Sequence, residues 1–459
     1  MLRLFTLLAI VLLAALALEA GLLAFAMYVL IGVLLLSRFL AKKWVGSLEA
    51  NRVCAATEPV EVGATVEVKV RVTNTGNTLV AWVLIEDMFP EHYLRLKPPR
   101  VRIKGRRMKL CSVRGGRTTV MKYEVVCDTR GYYQIGPTLL ETGDLFGLHR
   151  RHRIVAKPLF LMVLPKVVPL PKYDFASQRP IGEINSAHRL YEDPTRTAGV
   201  RPYQIGDPLQ RVHWRATART GELQCRVYDP TTLAGATILV DFHKAGYPSR
   251  GEPARSDLVV TTACSLAYAV TMLNQQIGLA SNGRDAADLY RYGIGIQRGT
   301  DDEAAGFGTR DEARREGEAD AESDRMRPVV VETRRGIEQF QLVREALARL
   351  ELTDGMTFAG LVLEVTPRLP RDATVIAILP AVTVETSVTL GNLKRQGFAV
   401  SAILIGIPDP EERTIAHGRL LAESIRDVRF IDKENELGLL GDQAPSSGAN
   451  PYKLDVVLA

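Results

Sequence analysis

Residues 199–228 read G-V-R-P-Y-Q-I-G-D-P-L-Q-R-V-H-W-R-A-T-A-R-T-G-E-L-Q-C-R-V-Y. Arg201 and Tyr203 come first, then Ile205-Gly206-Asp207-Pro208. That tetrad is predicted to turn the chain, because Gly tolerates positive φ and Pro presets φ. Arg211, His213, Trp214, Arg215 and Arg219 follow, then Gly221 and a strand-like run over 224–228. Arg201 and Arg211 flank Asp207, and a planar guanidinium can grip a carboxylate with two parallel bonds, which an ammonium cannot. The expectation is that Asp207 pairs with one of these arginines and locks the turn. Trp214 is expected to pack on it, with its indole N–H on one acceptor. Arg215 and Arg219 are expected on the more exposed side, where a partner would touch them.

Arg201, Tyr203, Gly206, Asp207, Arg211 and Trp214 fit the pattern R-x-Y-x-x-G-D-x-x-x-R-x-x-W. On that pattern the chain resembles the domain-of-unknown-function-58 family. Arg130-Gly131-Tyr132, Ile135-Gly136-Pro137 and Asp144-Leu145-Phe146-Gly147-Leu148 extend the likeness. The resemblance implies N-terminal membrane helices, a β-domain, the signature segment and then a degenerate von Willebrand A-like domain. It also implies a MoxR-type AAA+ ATPase as partner, to supply energy that this chain cannot.

The chain has 459 residues, which suits two folded domains with additional segments. Charged residues make up 24%, so bulk composition forces neither a nucleic-acid nor a disordered reading. The net charge of +6 is small for this length. Basic residues gather at 100–107 and 150–153. Such clusters suit an anionic membrane surface or RNA, and are read first as the solvated edge of a β-domain. Cys54, Cys111, Cys127, Cys225 and Cys264 are odd in number and lack C-x-x-C spacing, so they read as buried thiols in a reducing compartment.

Residues 4–18 form one apolar run and 22–40 a second, separated by Glu19-Ala20-Gly21. A spanning helix needs about 20 residues. Two readings compete, a helical hairpin over 1–45 and a cleaved signal peptide followed by one span. Apolarity resumes at once after Gly21, which favours the hairpin over a cleavage site. Arg3 precedes the runs and Arg38, Lys42 and Lys43 follow them. The positive-inside rule then places both ends in the cytoplasm, as a multi-pass protein of the inner membrane.

Residues 55–165 read as an all-β, immunoglobulin-like sandwich. Val66, Val68, Val70 and Val72 alternate with polar residues, and strands are also expected over 79–85, 101–110 and 118–127. Residues 166–235 hold a Pro-rich linker, running to Thr197, and the signature segment. From 236 to 435, strands alternate with helices, which implies a doubly wound α/β domain with a parallel sheet. Within it, 299–328 is rich in Asp, Glu and Arg and reads as a disordered insertion. Residues 436–459 read as a C-terminal tail.

In an open α/β sheet, ligands bind beyond the carboxyl ends of the strands. Asp241 ends the first strand there, and a von Willebrand A-like domain would follow it with two serines. His243 and Ala245 stand in those places instead. Thr357 matches the threonine of the site, and Leu379-Pro380-Ala381 lacks the second aspartate. Too few hard oxygen ligands remain, so Asp241, His243 and Thr357 read as a degenerate site with no metal and no cofactor. There is no phosphate loop, H-E-x-x-H or G-x-S-x-G. The favoured reading is a membrane-anchored, non-enzymatic interaction or assembly factor. The alternatives are a hydrolase using His213 and Asp207, or an adhesion module using Asp241 and Thr357 with a metal.

Overall fold

The computed structural model describes residues 2–17, 21–55, 59–90, 93–94, 99–144, 149–170, 192–204, 209–230, 235–248, 251–288, 327–371 and 373–440. Gly206, Asp207, the Phe146 segment, nearly all of the expected insertion and the tail beyond 440 lie outside them. The chain divides into two compact units. The first is Met1–Lys166 with Arg284–Arg327 and Arg344–Gly355; the second is Val167–Gly283 with Pro328–Val343 and Met356–Ala459.

The first unit opens with helices α1 (Leu2–Ala17) and α2 (Gly21–Gly46), which pack against each other. Among the described residues, α2 is the helix long and apolar enough to cross a membrane. Helix α1, with 16 residues, is slightly short for that. Eleven strands follow: β1 (Leu48–Cys54), β2 (Val60–Glu61), β3 (Thr65–Asn74), β4 (Val80–Asp87), β5 (Val101–Gly105), β6 (Met108–Val113), β7 (Thr118–Cys127), β8 (Gly131–Ile135), β9 (Thr138–Gly143), β10 (Arg150–Ala156) and β11 (Leu159–Leu164). They form sheets of order β1-β3-β7-β5, β10-β9-β4-β6 and β2-β11-β8. The alternating valines of β3 bury Val66, Val68, Val70 and Val72, as the period of two requires. One apolar cluster joins them to Val83, Leu140, Ile135 and Leu161, and so draws on all three sheets.

The structure differs from the expected strands at two places here. The first sheet begins at Leu48 rather than after 55, because β1 pairs antiparallel with β3 along its whole length. The expected strand over 101–110 is two, broken after Gly105, whose φ of 102° is left-handed.

Buried charge fixes this unit. The Arg52 guanidinium grips the Asp87 carboxylate with side chains 4% and 0% exposed. Tyr123 and Thr138 hydroxyls donate to the same carboxylate at 2.6 and 2.9 Å. Arg52 also donates to the carbonyls of Ile135 and Lys157 at 3.1 and 2.7 Å. Gly136 is required beside it: a Cβ there would lie 2.1 Å from Arg52 Nη2. Burial first, and the Asp87 charge next, hold the Tyr123 phenol far above its ordinary pKa, so it stays a donor.

The second unit holds the signature strands β12 (Glu192–Pro202) and β13 (Gln224–Pro230), joined across helix α3 (Trp214–Thr220). Its main sheet is built from β14 (Gly235–Val240), β15 (Gln276–Ser281), β16 (Val329–Arg335), β17 (Ala373–Leu379), β18 (Ala399–Ile405) and β19 (Val428–Ile431), in the order β16-β15-β14-β17-β18-β19. All pairs are parallel except β15 with β16. Helices α4 (Ala254–Met272), α5 (Ile337–Arg349), α6 (Phe358–Val365), α7 (Val384–Arg395) and α8 (Pro410–Ala422) alternate with the strands. The strand order reverses at β14, so the crevice between the ends of β14 and β17 is a topological switch point.

Strand β16 was not expected from the sequence, and β12 begins at Glu192, inside the stretch read as linker. Helix α4 ends at Met272, and Asn274 just beyond it is left-handed at φ 57°. Helix α8 ends at Ala422, with Ser424 left-handed at φ 64°. None of the five cysteines is in a disulfide; Cys127, Cys225 and Cys264 are buried and Cys54 and Cys111 half-buried. Burial pushes the Cys127 thiol up to about 12.

Candidate functional site

The signature segment is a two-stranded ribbon with a short helix between its strands. Arg201 pairs with Cys225 and Pro202 with Gln224 across β12 and β13. Tyr203 N–H continues the ribbon to the Leu223 carbonyl at 2.8 Å, and His213 N–H reaches the Gln224 carbonyl at 2.7 Å. Among the described residues of this piece, Val212 and Cys225 are buried. His213 caps α3: its Nδ1 accepts from Ala216 N–H at 3.0 Å. Gly221 closes the helix at φ 73°, the conformation a glycine adopts most readily.

Trp214 does not pack as expected. It is the first residue of α3 and is 68% exposed. Leu209 is 69% exposed nearby in sequence, and Leu223 is exposed as well. Arg215 and Arg219 are exposed on the same helix, while Arg201, Tyr203 and Arg211 are half-buried. Arg201 Nη1 donates to the Pro202 carbonyl at 3.1 Å. The expected pairing of Asp207 lies outside the described residues. His213 Nδ1 is the acceptor of a backbone N–H, which in a neutral imidazole leaves the proton on Nε2.

The crest of the main sheet gathers a second set. Asp241 lies at the end of β14, 8% exposed. Its Oδ1 accepts from Asn282 Nδ2 at 2.9 Å and from His243 N–H at 3.1 Å. Asn282, just past β15, also donates to the Met356 carbonyl at 3.1 Å and accepts from Phe242 N–H at 2.6 Å. The loop before Thr357 is thereby tied to Asp241. Thr357 itself caps α6, accepting from Gly360 N–H at 3.3 Å. His243 caps the following turn, accepting from Ala245 N–H at 3.3 Å. Beyond β17 and β18 stands a guanidinium, not a carboxylate: Arg255 donates to the Pro380 and Ile405 carbonyls. Burial raises the Asp241 pKa, against the lowering by Asn282 and the His243 N–H. Among the described residues no three His, Cys, Asp or Glu side chains gather as metal ligands.

Asn282 and Arg255 were missed by sequence reading. Ser281-Asn282-Gly283 after an apolar strand marks a turn at the crest. Nothing local marks Arg255, whose partners are main-chain carbonyls more than a hundred residues away.

Residues 199–293 match the family described as "Protein of unknown function DUF58". The chain is 24% identical over 214 residues to the uncharacterized protein YeaD of Bacillus subtilis (strain 168), covering 44% of this chain and 48% of that protein. It therefore spans about half the length of the curated relative it matches. Among solved structures, proximal thread matrix protein 1 from the mussel byssus is similar at 12% identity and TM-score 0.28, over 46% of each chain. The CARDB domain of the PF1109 protein from Pyrococcus furiosus is similar at 16% identity and TM-score 0.18, over 26% of this chain and 87% of that one.

Proposed function

We propose that this chain is a membrane-anchored, non-enzymatic interaction or assembly factor, and that its signature segment is the surface on which a MoxR-type AAA+ ATPase docks. The observation that carries this is the exposed Trp214, flanked by exposed Arg215 and Arg219. Tryptophan and arginine dominate the binding energy of protein interfaces, and a large ring left in water on a short helix stabilises nothing until a partner covers it. In this reading α1 and α2 form a membrane hairpin, with Lys42 and Lys43 holding the folded units on the cytoplasmic side. The β-rich unit is read as immunoglobulin-like and the α/β unit as von Willebrand A-like, its metal site degenerate.

The test is capture of the ATPase by the full chain in detergent. Trp214→Ala and the pair Arg215→Ala/Arg219→Ala should melt within a degree or two of wild type and lose about tenfold or more in capture. Undiminished capture by both variants would remove the segment as the docking surface.

A further inference from the structure

Helix α2 has two different sides in its second half. Leu34, Ser37, Ala41 and Trp44 are buried, at the spacing of one helical stripe. That stripe lies on β9 and β10. Ser37 Oγ is 3.2 Å from His149 Nδ1, and Arg153 Nη1 donates to the Val45 carbonyl at 3.3 Å. Strand β10 thus runs beside the helix from the level of Ser37 to that of Val45. The other side changes character along the axis. Leu35, Leu36 and Phe39 are exposed, Phe39 at 62%. Lys42 and Lys43 follow, also exposed and without an ion pair among the described residues.

Length decides what covers the apolar part. The stretch of α2 before Leu34, residues 21–33, is about 20 Å long at about 1.5 Å per residue. A bilayer's hydrocarbon core is about 30 Å thick. A span starting at Gly21 therefore reaches the level of Phe39 and Leu40, well into the part clamped by β9 and β10. On the outward side that level is where leucine and phenylalanine give way to lysine, the pattern of a lipid boundary. Arg38 has the long stem that lets a cation reach the headgroups from within it. Arg150 and Arg151, on the strand beside the helix, stand between the Ser37 and Val45 levels; Arg150 is largely exposed, with one guanidinium nitrogen 3.3 Å from Glu141 Oε1.

We propose that the β-rich unit sits in the headgroup layer of the bilayer rather than clear of it. Leu36 and Phe39 meet acyl chains, and Lys42, Lys43 and Arg150 bind anionic phospholipid headgroups. This rests on the reading of α2 as a membrane anchor. The helix packs on β9 and β10 and bonds at Ser37 and Val45 to His149 and Arg153, so the anionic surface fixes the height and tilt of this unit.

The full chain is reconstituted in vesicles of phosphatidylcholine and phosphatidylglycerol at about 7:3, with a benzophenone amino acid at Tyr28, Phe39 or, as a control on β6, Leu110. Adducts are identified by mass spectrometry. Lipid adducts are expected at positions 28 and 39 and not at 110. At 39, phosphatidylglycerol should exceed its share of the bilayer by about twofold or more, and Lys42→Gln/Lys43→Gln/Arg150→Gln should remove that excess. Adducts at 28 alone, or protein adducts at 39, would overturn the placement while leaving the anchor intact. Lipid adducts at 39 that follow the bulk composition would overturn the anionic preference. The absence of lipid adducts at both positions would remove the anchor reading itself.

Discussion

Asp87 and Asp241 are both buried carboxylates, and their surroundings give them opposite consequences. Asp87 has a guanidinium and two hydroxyls on it. Removing one side of a buried pair leaves the other charge without compensation, at a cost of about 3–5 kcal/mol. Arg52→Met and Asp87→Asn should each lower unfolding stability by about that much in urea melts, whereas an equal loss for the exposed Arg334–Glu332 pair would contradict the burial argument. Asp241 has neutral donors only. Its raised pKa means that the folded chain keeps a proton over a pH range where the unfolded chain has lost it. Stability therefore falls as pH rises through that range, from the ordinary carboxylate value to the raised one, and the penalty is constant above it. Asp241→Asn keeps an oxygen for Asn282 and the His243 N–H and removes the buried charge. It should melt a few degrees above wild type at about pH 7, with the difference shrinking towards about pH 4. A lower melting temperature at neutral pH would show that the carboxylate has a cationic ligand.

At the scale of the element, α3 makes a sharp case because seven residues form few internal bonds and depend on their ends. His213→Ala removes the cap acceptor and should cost about 0.5–2 kcal/mol in denaturant melts. His213→Asn supplies a side-chain oxygen as acceptor in place of Nδ1 and should recover most of it; a failure of Asn to rescue would point to a role for the imidazole beyond capping. The same scale shows what could be read from sequence. The valine alternation of β3 and the apolar β-branched runs of β14, β17 and β18 were legible, since one or two buried faces impose their period on the residues. Strand β16 was not, because it is a half-exposed antiparallel edge whose second half reads Glu332-Thr333-Arg334-Arg335. Strand β12 was hidden by Asp193, Pro194 and Gly199, all poor strand formers. At the signature, the turn-and-strand order was legible, but not the exposure of Trp214. Burial of a ring is decided by what packs over it, and a short helix on a two-stranded ribbon offers little cover. At the crest, Asp241 and Thr357 were found as separate positions; the Asn282 bridge between their loops needed the parallel register of β14 with β15.

At the scale of the molecule, the first unit is not one continuous piece of chain. Residues 344–355 return to it after the chain has passed through two segments of the second unit, Val167–Gly283 and Pro328–Val343. They are held by cations. Arg344 Nη2 donates to Glu61 Oε1 and to the Pro165 carbonyl, both at 3.0 Å. Arg130 Nη1 donates to the Leu347 and Leu350 carbonyls at 3.0 and 2.8 Å, at the carboxyl end of α5. Leu347 lies in the last turn of α5 and Leu350 just past its end, where carbonyls run out of helical donors and a cation meets the negative end of the helix dipole. Arg130 belongs to the Arg130-Gly131-Tyr132 motif, and Gly131 is needed beside it because a Cβ would lie 2.6 Å from Tyr133 Cζ. Arg349 with Asp285, and Arg284 with Glu351, join the two returning stretches to each other at 3.1 Å. A fragment ending at Lys166 keeps Arg130 but loses these two carbonyl acceptors. Each hydrogen bond from a charged group is worth about 1.5–3 kcal/mol. Arg130→Gln in the full chain should therefore lower stability by about 2–3 kcal/mol. The fragment 1–166 in detergent should fare worse, melting at least about 10 °C below the same unit in the full chain or aggregating. If near-ultraviolet circular dichroism instead gave fragment and full chain the same melting curve for this unit, residues 344–355 would be passengers on it. The cation-to-carbonyl bonds would then contribute nothing to its stability.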